Sequence, residues 1–220
     1  MNLTHASVSV ILLAGGNGLR FGSPVPKQFL PLKKKLIIHY SFEEFLQCPY
    51  IFEIIIVCAP AYQQLFPQSD FPKIRFALPG ERRQDSVFNG LRATTANSSL
   101  ICIHDAARPF ISQNDLRNVI ETAAKTQAAT LATAVTNTIK QTDGNAQVLR
   151  TLERSKLFEV QTPQVISPAL LNKGFAHARE KNITVTDDTS LVELLHHPVK
   201  LVLGSPFNIK ITTSDGIRRA

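Results

Sequence analysis

The chain has three cysteines in 220 residues and no CxxC pair. A zinc ribbon and a disulfide framework are therefore not expected. Cys58 and Cys102 sit inside the apolar runs IIIVCA and LICIHD, as buried reduced thiols do. No apolar run approaches the ~18 residues of a membrane-spanning helix, so no membrane partner is expected. The segment MNLTHAS, ahead of the first strand-like run, lacks the charged start and apolar stretch of a secretory signal and is short for a transit peptide. Residence in the cytoplasm is the expectation. Internal repeats, low-complexity tracts and an evident linker are also missing, which favours a single domain over 1–220. No Ser/His/Asp or Cys/His set suggests itself.

What the chain does have is an excess of positive charge, net +7. An anionic partner follows, though charge alone does not name it. Nucleic acid fits poorly. The cations sit singly within glycine, proline and strand-like motifs, KKK at 33–35 is the one tight cluster, and aromatic residues are not interleaved with them.

Short β-branched runs alternate with helical patterns. Strands are expected at 7–14, 52–59, 73–78, 99–104 and 128–135, each nearly continuous in apolar residues. Helices are expected at 36–48, 82–94 and 112–125, the last with Ser112 as N-cap. This alternation predicts an α/β fold, a mainly parallel sheet with helices on both faces. The Asp143-Gly144 turn predicts a hairpin arm at about 136–160. An isolated hairpin is marginal in water, so the arm should pack on another subunit. A helix follows (SPALLNKGFAHARE), then a second one capped at Thr186 or Asp187, and two late strands, VKLVLG and FNIKIT. In the last of these Lys210 would sit mid-strand, with Ile209 and Ile211 on the other face.

The stretch AGGNGLRFGSPVPKQ follows the first buried strand, where open α/β sheets bind ligands. It is not a dinucleotide fingerprint, because Phe21 stands where the third glycine is needed and SPVPKQFLPL cannot continue a helix. It is not a Walker loop, because GK[ST] is absent. Glycines that let backbone N–H groups approach phosphate, with Arg20 and Lys27 close by, favour a phosphate site.

With its later blocks the stretch becomes specific. AGGNGLRFG, PKQFLPL, GERRQDSVFNGL, IHDAARPF, NTIK, QTPQ, TDD and NIKIT occur in order across nearly the whole chain. They resemble the 2-C-methyl-D-erythritol 4-phosphate cytidylyltransferase family. That resemblance implies a Rossmann-like nucleotidyltransferase sheet, a homodimer joined through the β-arm, CTP and a phosphorylated polyol as substrates, and Mg²⁺ as cofactor. It also implies residue roles. Arg20, Lys27 and Lys210 would be catalytic, and Ala14, Gly15, Gly16, Gly18, Gly80, Glu81 and Ser86 would bind CTP. Asp105, Arg108, Thr138, Arg154 and Thr162 would bind the polyol phosphate, with Asp105 also a metal ligand. Asp187 and Asp188 would cap a helix. The chain departs from the family pattern at Pro79, Glu81, Asn137 and Phe158, where glycine, Asp, Asp and Trp are usual. A ribitol 5-phosphate cytidylyltransferase would share most of these blocks.

The chemistry suits such residues. A substrate phosphate is already anionic and needs no strong base to attack the α-phosphorus of CTP. The obstacle is bringing anion to polyanion, which fixed positive charge and positioning overcome.

Overall fold

The computed structural model describes residues 7–16, 25–67 and 72–212. Arg20 and Gly18 lie outside the described residues. Among the described residues there are eleven strands: β1 (Val8–Leu13), β2 (Pro31–Leu32), β3 (Lys35–Leu36), β4 (Ile51–Val57), β5 (Lys73–Ala77), β6 (Leu100–Asp105), β7 (Ala128–Ala134), β8 (Lys140–Thr142), β9 (Val148–Thr151), β10 (Phe158–Ile166) and β11 (Lys200–Leu203). The α-helices are α1 (Ile37–Gln47), α2 (Arg83–Ala93), α3 (Gln113–Thr126), α4 (Pro168–Glu180) and α5 (Ser190–Glu193).

Seven strands form one sheet in the order β11-β7-β10-β6-β1-β4-β5. All its pairs are parallel except the two made by β10, which runs antiparallel to both β6 and β7. The five apolar runs expected as strands become β1, β4, β5, β6 and β7. The period-two alternation splits their side chains between two cores. Val10, Leu12, Ile54 and Ile56 pack against Phe42 and Phe45 of α1 and Leu116, Val119 and Ile120 of α3. Ile11, Ile55 and Ile103 pack on the other face against Val87 of α2 and Leu171 and Phe175 of α4. All three cysteines are free and buried. Burial pushes the Cys58 thiol up to about 11, so these thiols stay protonated.

The start of α3 is as expected, with Ser112 Oγ accepting from the Asp115 N–H at 3.0 Å. Three expectations are corrected. The segment FNIKIT is not a strand, since residues 208–212 carry no strand pairing. The second late helix is short, Ser190–Glu193. Asp187 does serve its start, its Oδ1 accepting from the Ser190 N–H at 3.0 Å. Asp188, however, caps nothing, because its carboxylate is bound to Arg83.

β8 and β9 form the hairpin arm as a separate two-stranded sheet. Its turn is built on Asp143, whose Oδ1 accepts from the N–H groups of Asn145 (2.8 Å) and Gln147 (3.2 Å), an Asx arrangement. Every residue of both arm strands is exposed. Val148 and Leu149 are 54% and 61% exposed, so the arm carries apolar surface that the chain itself leaves uncovered.

Candidate active site

The carboxyl ends of β1, β5 and β6 open into a cleft of about 440 Å³. Gly15 and Gly16 from the end of β1, Lys27 and Gln28 from the turn at Lys27–Phe29, and Pro79, Gly80, Glu81 and Ser86 around the start of α2 line it. Arg83, Asp105 and Lys210 close its floor. A second cleft of about 370 Å³ adjoins it, lined by Arg108, Gln161, Thr162, Gln164 and Asp187. Arg83, Asp105 and Lys210 line both clefts. A ligand in one would therefore meet a ligand in the other across these three side chains.

The first cleft depends on close approaches that only glycine allows. A Cβ on Gly15 would lie 2.3 Å from Pro79 Cβ, and one on Gly80 would lie 2.4 Å from Asp85 Cβ. Pro79, a departure from the family pattern, thus packs directly on the glycine stretch. Ser86 holds the opposite wall, its Oγ accepting from the Gly80 N–H at 3.0 Å. Buried Gln28 ties the two sides of the stretch together. Its Nε2 donates to Ala14 O at 2.6 Å and Gly16 O at 3.1 Å. Ala14 is itself buried behind the wall rather than lining it.

Asp105, the last residue of β6, is nearly enclosed. Its Oδ1 accepts from Arg83 Nε at 3.1 Å and its Oδ2 from Lys210 Nζ at 2.6 Å. Burial alone would raise this carboxyl, but the charges of Arg83 and Lys210 outweigh burial and hold it well below the usual carboxylate range. Its backbone N–H donates to Thr162 Oγ1 at 3.1 Å. Thr162 in turn faces His104 Nδ1 at 3.1 Å, and His104 Nε2 faces Arg108 O at 3.0 Å. A carbonyl can only accept, so Nε2 carries the proton and Nδ1 accepts from the threonine hydroxyl. Burial lowers His104 to about 4, which keeps it neutral and preserves this directed chain.

Lys210 stands on irregular backbone, yet that backbone is well tied. Asn208 Nδ2 donates to Thr162 O (2.9 Å) and Gln161 Oε1 (3.2 Å). Arg108 Nη1 donates to Asn208 O at 2.8 Å, and the Ile211 N–H donates to Ala107 O at 2.8 Å. The Arg108 Nε and Asn208 Oδ1 atoms are buried without a hydrogen-bond partner. Arg108 also lines the second cleft.

Of the residues expected at the site, Gly15, Gly16, Lys27, Gly80, Glu81, Ser86, Asp105, Arg108, Thr162 and Lys210 converge on the two clefts. Thr138 and Arg154 do not; they flank the arm, where Arg154 Nη1 donates to Thr136 O at 2.8 Å. Sequence reasoning missed Arg83, Gln28, Gln161 and Gln164. Arg83 follows Arg82 in GERRQDSVFNGL, and the sequence alone offers both as surface residues at a helix start. Arg82 is exposed and pairs with Asp85 at 2.8 Å, whereas Arg83 turns inward. Arg82 finds its carboxylate three residues on, whereas the partners of Arg83, Asp105 and Asp188, are distant in sequence and leave no local mark.

Among the described residues no helix is long and apolar enough to cross a membrane. A family model described as 2-C-methyl-D-erythritol 4-phosphate cytidylyltransferase matches residues 8–220. A relative of that name from Oryza sativa subsp. japonica, designated chloroplastic, is 46% identical over 96% of this chain and 72% of its own length. One from Chlamydia pneumoniae is 43% identical over 95% of both chains. Among solved structures, 4-diphosphocytidyl-2C-methyl-D-erythritol synthase from Anaerococcus prevotii is 29% identical with a TM-score of 0.86, over 97% of this chain and 95% of its own. The Francisella tularensis cytidylyltransferase is 30% identical with a TM-score of 0.84, over 97% of both chains. With a family match over nearly its full length and a site built where the shared motifs converge, the chain belongs to the 2-C-methyl-D-erythritol 4-phosphate cytidylyltransferase family.

Proposed function

We propose that the protein transfers a cytidylyl group from CTP to 2-C-methyl-D-erythritol 4-phosphate in the paired clefts, CTP in the first and the polyol phosphate in the second. The observation that carries this reading is the shared boundary, Arg83–Asp105–Lys210. An acceptor phosphate oxygen attacks the α-phosphorus, a new P–O bond forms, and the bond to the bridging oxygen breaks. Pyrophosphate leaves with the electron pair. Lys27, on a turn held by Gln28, faces the triphosphate. Arg20, outside the described residues, belongs to the same glycine stretch and takes the same role by family resemblance. Lys210 stands where both phosphates would meet, and Arg108 offers a guanidinium to the acceptor. Positioning and fixed charge, rather than a base, supply the acceleration.

Magnesium enters the proposal as an ion carried by the CTP phosphates, which it commonly is. When bound it would neutralise phosphate charge. Asp105, whose oxygens keep lone pairs beyond the bonds they accept from Arg83 and Lys210, is the residue that would hold the ion on the protein side; among the described residues no group of three or more acidic, His or Cys side chains adds to it. No step is routed through the ion.

The proposal includes a homodimer. The exposed Val148 and Leu149 of the arm, together with Phe158 and Val160 at 37% and 42% exposure, supply an apolar surface for a second copy. Thr138 and Arg154 would then serve the neighbour's second cleft. A cytoplasmic location is also part of the proposal; cell fractionation, with a plastid marker as the contrary outcome suggested by the rice relative, tests it.

The deciding experiment measures pyrophosphate release with CTP, ATP, GTP and UTP against methylerythritol phosphate and ribitol 5-phosphate. CTP with methylerythritol phosphate should give the highest kcat/KM. Preference for ribitol phosphate, or for another nucleotide, would overturn the assignment.

A further inference from the structure

Lys210 is a flexible side chain on irregular backbone, 38% exposed, at the place where the clefts meet. Its head is fixed by Asp105 Oδ2 at 2.6 Å. The orientation of Asp105 is in turn set by Arg83, whose Nε reaches the other oxygen at 3.1 Å. The remaining nitrogens of Arg83 make a fork to Asp188, Nη1 to Oδ1 at 3.0 Å and Nη2 to Oδ2 at 2.8 Å. Two parallel bonds fix a guanidinium plane as a single bond does not. Asp188 is 1% exposed, and its N–H donates to Gln164 Oε1 at 2.8 Å. The result is a row of alternating charges, Asp188, Arg83, Asp105 and Lys210, anchored at its buried end to β10. Asp188 lines neither cleft.

We propose that Asp188 is a positioning residue for the reaction, acting through Arg83 and Asp105 to hold the Lys210 ammonium between the two reacting phosphates. The proposal rests on the reading that Lys210 touches those phosphates. The row pre-sets the lysine before substrates arrive, so the cost of ordering it is met in folding rather than in the transition state. Asp188→Asn keeps the shape but turns an amide N–H₂ against the guanidinium, which frees Arg83 and lets Asp105 and Lys210 drift.

The test is a double-mutant cycle on the full chain, with pyrophosphate release from CTP and methylerythritol phosphate and rates normalised to folded protein. Asp188→Asn should lower kcat by roughly 10–100-fold, the cost of a misplacement on the order of 1 Å, and change the KM for CTP by less than about threefold. In a Lys210→Ala background the same substitution should change kcat by less than about twofold, because the group it positions is gone. A merely structural role would lower the folded fraction and leave that coupling at zero. An equal factor in both backgrounds, or an Asp188→Asn kcat within about twofold of the parent, overturns the proposal. Should Asp188→Asn fail to fold, Arg83→Lys, which cannot span both carboxylates, runs through the same cycle with the same expectation. The parent protein tests the underlying reading separately. Its failure to turn over removes both, whereas turnover with an additive cycle removes this proposal alone.

Discussion

Gln28 carries no charge and takes no part in chemistry, yet its removal should be felt in both stability and turnover. The side chain is 3% exposed and spends both amide hydrogens on the glycine stretch, at Ala14 O and Gly16 O. In Gln28→Ala two bonds are lost, each contributing about 0.5–1.5 kcal/mol net. Gly16 is exposed, and its carbonyl can turn to water. Ala14 is buried, so its carbonyl is stranded, and that dominates at about 1–3 kcal/mol. The total is roughly 2–4 kcal/mol, which for a chain of this length lowers Tm by roughly 4–16 °C. Gln28→Glu is the sharper variant: it keeps the shape, sets an acceptor against two acceptors, and should fall at least as far. Because Lys27 precedes Gln28 on the same turn, kcat/KM for CTP should drop about tenfold or more once the turn is loosened. Thermal unfolding followed by circular dichroism and initial rates at varied CTP read the two effects. A Gln28→Ala protein within about 2 °C of the parent Tm and within about twofold in kcat/KM would refute the role given to this amide.

Lys27→Ala should lower kcat by roughly 10²–10³-fold, the loss expected for one transition-state donor, while CTP affinity measured by calorimetry weakens less; near-parental kcat would remove Lys27 from the chemistry. His104 makes folding sensitive to acid. Burial depresses it to about 4 from an ordinary 6.5, so between those values the unfolded chain takes up a proton that the folded chain refuses. Its contribution is complete above 6.5 and falls by roughly 3 kcal/mol as pH drops to 4. Asp105, also depressed, acts below that window, and Asp188, raised by burial against the pull of Arg83, acts in the opposite sense. The His104 share is isolated by comparing urea midpoints of the parent and His104→Gln across pH 4–7, where equal slopes would contradict it. For the arm, an Arg154→Ala chain mixed with a Lys27→Ala chain should recover part of the activity through hybrid sites, and no recovery would place Arg154 with its own chain's cleft.

The parallel half of the fold was legible because its strands are buried on both faces and therefore read as unbroken apolar runs. β10 was not. Its Gln161, Thr162, Pro163 and Gln164 break the apolar signature, for a reason visible only in three dimensions. Gln161 bonds to Ser205 and Asn208, Thr162 to Asp105 and His104, and Gln164 to Asp187, Asp188 and Thr189. A strand that supports a polar site from within the sheet loses the pattern by which strands are recognised. FNIKIT shows the converse. Its alternation suggested a strand, but Asn208 and Ile211 are drawn inward by side-chain and backbone bonds rather than by a ladder. The motif residues were found through the family's ordered blocks. Arg83 and Asp188, 105 positions apart, carry no such local mark.

The antiparallel placement of β10 also orders the assembly of the chain in time. β5, β4, β1 and β6 can pair as soon as residue 105 has been made, since each finds its neighbours among the others. β7 cannot. Its sheet partners are β10 and β11, both encoded later, so Ala128–Ala134 has no ladder to join until residues 158–166 have emerged. During synthesis these four strands can pair while β7 waits, with an apolar strand edge open. The arm between β7 and β10 is the loop that must close before that edge is covered, and its length therefore sets how long the growing chain stays exposed to misassembly.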